Sequence, residues 1–408
     1  MRTRLGRLAE IAFGWPFASE MFRTSSDGGI RVIRIRDLSD DLAPIYSAES
    51  PRADARVQDG DILIGMDGDF VVHTWRRGTA LLNQRVCRLR ARPPNDVRYL
   101  AYCLPRPLAA LQAVKFATTV KHLGSSDLAH LPIPVALPPR QRAIADFLDE
   151  ECDRIAALDV RLRSVARITM ESHAEKAREA IGVDRHTRAQ ARHVATAGTG
   201  HTPSRARADW WVPEDCVIPW FTLADVHQIR NDRIAVVHDT TERISAVGLA
   251  NSSAVLHPAG TVLLSRTASV GFSAIMGVDM AVSQDFMTWT CGPRLDPWYL
   301  LHTLRATRPE LRSLMYGSTH QTIYMPDLLA LRIPLPSPEE QRVAVAVLND
   351  LSRAHRAAAA VVEQMRACLA EYREALITEA VTGQLDVTAV SEQQMDERMH
   401  EAVEAPPG

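Results

Sequence analysis

Two stretches of the chain repeat apolar residues at alternating three- and four-residue spacing. In the first, Ile144, Leu148, Ile155, Leu158, Leu162 and Val165 fall in step, with Glu151 the one polar member. In the second, Leu348, Leu351, His355, Ala358, Val362, Met365, Leu369, Tyr372 and Leu376 do the same. This is the narrow stripe of a helix that pairs with another helix, not the broad face of one lying on a sheet. Polar residues at such a seam, here Glu151 and His355, usually fix register or pairing. Each stripe follows a proline-bearing start, Pro138-Pro139 and Pro336-Ser337-Pro338-Glu339-Glu340. Proline costs no hydrogen bond in a first helical turn, and acids there meet the positive end of the helix. About 40 residues at ~1.5 Å rise each predict rods of roughly 60 Å. Because a whole globular segment separates them, the rods are expected to pair antiparallel; packing on their own domains or on another subunit is the alternative.

Outside the rods the period changes. Arg31-Val32-Ile33-Arg34-Ile35, Asp61-Ile62-Leu63-Ile64 and Thr261-Val262-Leu263-Leu264 are short aliphatic runs bounded by Gly, Asp or Pro, and read as strands. Short helices interrupt them, such as 297–306, opened by Pro297-Trp298-Tyr299. The mixture predicts an α+β fold.

The unit is written twice. Leu131-Pro132-Ile133-Pro134 through Pro138-Pro139-Arg140-Gln141-Arg142 aligns with Leu331-Arg332-Ile333-Pro334 through Pro338-Glu339-Glu340-Gln341-Arg342. Upstream, Asp127-Leu128 matches Asp327-Leu328, Gln84 matches Gln284, and Gly60-Asp61-Ile62-Leu63-Ile64 matches Gly260-Thr261-Val262-Leu263-Leu264. Nearer the start Ile35-Arg36-Asp37-Leu38 faces Leu223-Ala224-Asp225-Val226, so the second copy has gained about a dozen residues between those blocks. The expected organisation is a globular domain at 1–138, a helix at 139–184, a second globular domain at 185–338, a second helix at 339–384 and a disordered acidic tail at 385–408. The two helices would form an antiparallel coiled coil with approximate two-fold symmetry.

Composition narrows the function. At 46% hydrophobic and 24% charged, the 408 residues are those of a soluble globular protein. No apolar run reaches the ~18 residues of a membrane span, and the basic start Met1-Arg2-Thr3-Arg4 lacks the apolar core of a signal peptide. The six cysteines show no zinc spacing and read as free thiols of a reducing cytoplasm. Residues 1–140 carry more Arg and Lys than Asp and Glu, and only Lys115, Lys121 and Lys176 are lysines. Arginine suits bidentate contacts to phosphate and guanine, although a coding bias would leave the same composition.

Catalytic signatures are absent. There is no Asn-Pro-Pro-aromatic turn of an adenine methyltransferase, the nearest string being Arg92-Pro93-Pro94-Asn95, and no phosphate-binding Gly-x-x-x-x-Gly-Lys loop. Asp59, Asp61, Asp67 and Asp69 could serve a metal-dependent nuclease, but the second copy has Ala259, Thr261, Thr267 and Ser269. The chain reads as non-catalytic, with no cofactor or metal of its own. What remains is a set of loop residues able to meet phosphates and base edges. In the first copy these are Trp15, Arg34, Arg36, Arg76, Arg77, Lys115, Thr118, Thr119, Lys121 and His122. In the second they are Trp220, Arg266, Thr267, Ser269, Ser318, Thr319, His320, Gln321 and Tyr324. Segments 115–122 and 317–324 occupy equivalent places before the two helix starts.

The helix-start strings resemble those of type I restriction–modification specificity subunits. So does Glu374-Ala375-Leu376-Ile377-Thr378-Glu379-Ala380-Val381-Thr382-Gly383-Gln384-Leu385, which is similar to the end of that family's second conserved helix. Gly14-Trp15-Pro16-Phe17, Pro219-Trp220-Phe221, Gly260-Thr261-Val262-Leu263-Leu264-Ser265-Arg266 and Gln284-Asp285-Phe286 resemble its target-recognition domains. The first domain departs from the pattern, with Gly65-Met66-Asp67-Gly68 where the second has Ser265-Arg266.

The resemblance implies that each domain reads half of a bipartite, asymmetric site in double-stranded DNA. It implies that the helices, through Gln141, Gln341 and the seam residues, set the spacing and dock two methyltransferase subunits and a motor-nuclease. S-adenosylmethionine, ATP and Mg²⁺ would belong to those partners. The competing reading is a coiled-coil adaptor whose domains bind peptide or carbohydrate.

Overall fold

A computed structural model describes residues 2–39, 43–49, 53–116, 122–230, 232–317, 321–390 and 392–404. The fold is α+β, and the chain divides into two compact units. Unit 1 comprises Met1–Leu162 with Gln364–Gly408, and unit 2 comprises Arg163–Glu363. The two long helices, a central one at Pro138–Ile181 and a distal one at Pro338–Thr382, each contribute to both units.

Unit 1 stacks two small sheets. One is antiparallel, in the order Ala9–Phe13, Val86–Ala91, Ile62–Gly65, Val72–Thr74. The other runs Ile45–Ser47, Ile30–Ile33, Ala80–Leu82, Arg56–Val57, with Ile30–Ile33 and Ala80–Leu82 parallel. Leu63 and Val86 from the first sheet and Ile33 and Leu82 from the second share one fully buried core. Burial on both sides explains why Ile62–Gly65 is an unbroken apolar run instead of an alternating one. The opposite face of the first sheet meets Tyr99 and Leu100, then Ile144, Leu148 and Ile155 of the central helix and Leu369, Tyr372 and Leu376 of the distal helix.

Unit 2 repeats this plan with matching register. Ala195–Thr199, Phe286–Cys291, Val262–Ser265 and Ser273–Met276 are the counterparts of the first sheet. The added residues of the second copy supply a fifth strand, Val236–Val237, parallel to Ser273–Met276.

The long helices pack antiparallel within each unit. In unit 1, Asp159 pairs with Arg366 at 2.7 Å beside the half-buried Leu158, Leu162 and Met365, while Glu151 accepts from Arg154 at 2.8 Å. In unit 2, the rings of His173 and His355 stack at 4.6 Å, Leu348 is buried, and Leu351, Ala358 and Val362 are half-buried. Three expectations need correcting. Val165 is 48% exposed, and the stripe continues instead through the half-buried Ala166, Thr169 and His173. Gln141 and Gln341, expected to serve spacing and docking, are buried against their own globular domains. Each accepts from the backbone amide that opens the neighbouring helix, Asp96 or Asp296, at 2.8 Å, and donates to Ala136 or Pro336 at 2.9 Å. Finally, the expected disordered tail contains a helix, Glu392–Glu404, whose Met395 and Met399 are buried on the unit 1 core.

Candidate nucleic-acid interface

In each domain four connecting segments converge beyond the ends of the sheets. Close approach starts the cluster. A Cβ on Gly14 would fall 1.9 Å from the Asn83 carbonyl oxygen, and one on Gly200 would fall 1.6 Å from that of Val282. Only glycine lets the segment after the first strand lie against the turn that carries Gln84 or Gln284.

In unit 1, Trp15 donates its amide to the Leu82 carbonyl at 2.7 Å, and the Gln84 amide donates back to Trp15 at 3.1 Å. The loop after Ile62–Gly65 joins next: Met66 donates to Arg85 at 2.9 Å and accepts from Leu123 at 2.8 Å. Asp67 then sits 2.7 Å from His122 Nδ1 and 3.5 Å from Arg85. Trp15 is 37% exposed, so its indole is presented and not packed.

In unit 2 the same joints recur. Arg266 donates its amide to Asp285 and accepts from Ile323, both at 2.9 Å, and Thr267 bridges to Thr322. Ala268, at φ 58° where the first copy has Gly68 at φ 66°, donates to Gln321 at 3.0 Å. Such a conformation strains a residue that carries a Cβ, and here the surrounding bridges impose it. The Arg266 guanidinium donates to the carbonyls of Gln284 at 2.9 Å and Ile323 at 3.2 Å, so it clamps the loops together. Ser269 accepts from Arg230 at 2.9 Å, and Thr202 donates to the Gln284 side chain at 2.8 Å. Tyr316 and Tyr324, both more than half exposed, stand 5.7 Å apart.

The structure therefore brings together Trp15 and His122 in unit 1, and Arg266, Thr267, Ser269, Gln321 and Tyr324 in unit 2. It separates others. Arg34 donates to both oxygens of Asp37 at 2.8–2.9 Å and is spent on that internal pair. Trp220 is only 3% exposed, under Trp211, whose ring carries the Arg205 guanidinium at 3.7 Å. Both had been expected at the surface, and their immediate neighbours explain the difference. Arg36, Arg76 and Arg77 are exposed, with Arg76 beside a groove described below. Thr118, Thr119, Lys121, Ser318, Thr319 and His320 lie outside the described residues, as does the side chain of Lys115 near the end of helix Pro105–Phe116.

Gln84, Arg85, Thr202, Arg230, Gln284 and Tyr316 join the site beyond the residues expected from the sequence. The signals available were that Gln84 and Gln284 match across the repeat and that Gln284 opens the Gln284-Asp285-Phe286 string. The four acids of the first copy disperse: Asp59 accepts from the Gly78 amide, Asp61 from Arg90, and Asp69 from Gln112, while Asp67 meets His122. Among the described residues no group of three His, Cys, Asp or Glu side chains could hold a metal ion. No helix among the described residues is long and apolar enough to cross a membrane.

A recurring loop platform on two copies of one scaffold, each joined to parts of the same helix pair, defines a protein built by duplication. Comparison with known proteins is consistent. The type I restriction modification DNA specificity domain matches residues 2–158 and 192–364, and the chain belongs to that family. The EcoBI specificity subunit of a type I restriction enzyme from Escherichia coli is 34% identical over 170 residues, 41% of this chain and 35% of that protein. The MjaIX specificity subunit from Methanocaldococcus jannaschii is 27% identical over 158 residues, 38% of this chain and 35% of its own length. The matches thus span about a third of each curated relative. A solved structure from the type I R-M system covers 94% of this chain and 98% of its own, with a TM-score of 0.71 at 19% identity, which supports the fold.

Proposed function

We propose that this chain is the DNA-sequence specificity subunit of a type I restriction–modification complex, and that it does no catalysis itself. Unit 1 would read one half of a bipartite site in double-stranded DNA and unit 2 the other. The observation that carries this reading is the loop platform, built twice by the same backbone joints but dressed differently. Trp15, Gln84, Arg85 and His122 face solvent in one copy, where Gln284, Gln321 and Tyr324 face it in the other, beside the half-buried Thr202. Amides, hydroxyls and guanidinium groups are what base edges and phosphates require, and different sets suit an asymmetric target.

In this reading the helix pairs dock two methyltransferase subunits and a motor-nuclease joins for restriction. S-adenosylmethionine, ATP and Mg²⁺ are held by those partners, in the cytoplasm. The test is selection from a random duplex library with the methyltransferase subunits present. Enrichment of a two-part motif is expected, and replacing Gln284 with Ala should relax one part by about tenfold or more, since a bidentate base contact is worth ~1–3 kcal/mol. Absence of any enriched sequence would favour the adaptor reading.

A further inference from the structure

The first domain leaves open what the second one fills. In unit 2, the added strand Val236–Val237 runs along Ser273–Met276, where the Ile275 and Gly277 amides donate to Ala235 and Val237 at 2.8 and 2.7 Å. Two arginines hold the same segment. Arg308 donates to the Asp232 carboxylate at 2.7 Å, and Arg305 donates to the Asp232 and Ile234 carbonyls at 3.1 and 2.8 Å. Alongside, Glu310 accepts from Arg178 at 2.6 Å and lies 3.8 Å from Arg188.

In unit 1 the counterpart strand Val72–Thr74 is the edge of its sheet, paired only with Ile62–Gly65 among the described residues. Ile62 faces Thr74 as Val262 faces Ile275, so the Thr74 and Arg76 amides point outward as those of Ile275 and Gly277 do. Beside this edge lies a groove of about 670 Å³, with Tyr102, Leu111 and Ile377 among its walls and Arg2, Arg76 and Arg106 around it. Ala110 stands where unit 2 has Glu310, and Arg2 stands where it has Arg188. Among the described residues no carboxylate pairs with Arg2, Arg76 or Arg106.

We infer that an extended, acidic segment of a partner protein adds to the Val72–Thr74 edge as an extra strand, its carboxylates meeting these three arginines and its apolar side chains entering the groove. Unit 2 shows the chemistry of the occupant, because there an internal segment supplies backbone carbonyls to the edge and a carboxylate to flanking arginines. Strand addition of this kind takes affinity from main-chain hydrogen bonds and specificity from the adjoining pocket. Double-stranded DNA would meet the cations but leave the apolar walls and edge amides unused. The inference rests on the reading that methyltransferase subunits assemble on this chain.

Hydrogen exchange of the full chain, measured with and without the methyltransferase subunits, tests it. Amides at 72–77 should exchange at least tenfold more slowly in the complex. Arg106→Glu, and separately Ala110→Glu, which gives Arg2 the internal acid that Glu310 provides in unit 2, should each weaken methyltransferase binding at least tenfold. DNA binding by either variant alone should match wild type. Unchanged exchange in the complex, or undiminished methyltransferase binding by both variants, overturns the inference. So does equal protection by DNA alone, which would assign the face to nucleic acid. Failure of the DNA-reading proposal shows separately, as wild-type chain that selects no sequence while 72–77 is still protected by the partner.

Discussion

Gln341 is fully buried, yet it uses its whole amide. It accepts from Asp296 at 2.8 Å and donates to Arg294 and Pro336 at 2.9 Å. Asp296 in turn caps helix Pro297–Ala306. One side chain therefore ties the start of the distal helix to the domain that precedes it, and Gln141 does the same in unit 1. Gln341→Ala should cost about 2–3 kcal/mol, because it strands buried backbone groups instead of merely removing a bond. A thermal melt measures the loss, and faster amide exchange at Asp296 locates it. An unchanged melt would contradict this tether. The repeat made this residue visible in the sequence, but its partners are long-range backbone atoms that no local pattern encodes. Trp220 misled in the opposite direction. An aromatic near polar motifs could serve either a surface or a core, and only the cover of Trp211 decides which. The Arg34–Asp37 pair, at three-residue spacing, occupies that arginine and was not read from the sequence.

Among elements, the helix pairs were legible because their stripe is long and apolar. The phase slips past Leu162 because Ala166 is small and Thr169 polar, while the neighbouring Val165 is the larger apolar residue. Near that part of unit 2, His302 is buried against Asn349 at 3.0 Å, with Arg305, His173 and Asp232 as its charged or titratable neighbours. Burial first, and then Arg305 and His173, push its pKa down to about 4, against the Asn349 hydrogen bond and Asp232. His173, stacked on His355, is lowered as well, again chiefly by burial. The folded form thus favours neutral imidazoles. Their contribution is complete above the ordinary value of 6.5 and is lost as pH falls from there toward about 4. Unit 2 should lose a few kcal/mol across that window, and His302→Gln should flatten the loss. Urea titrations at pH 7.5 and 5 would show it, and equal stability at both would contradict it. The fifth strand, Val236–Val237, was invisible in advance. Two residues carry no periodicity, and their pairing depends on a distant edge.

At the scale of the whole molecule, duplication divides the labour. The sheets, the Gln141 and Gln341 tethers and the glycine close approaches recur, while the loop side chains, the added strand and the Arg-lined groove differ between copies. What recurs builds the scaffold, and what differs is available for recognition. The duplicated order was legible because it spans most of the chain. The contacts themselves were not, because loop identity does not fix loop placement. Each domain is accordingly expected to read its half-site independently. The most direct measurement is genome-wide mapping of methylated sites in a host whose specificity chain has residues 1–138 replaced by those of a relative with a different target. The account predicts a motif changed in one half and unaltered in the other. A motif changed in both halves, or in neither, would contradict it.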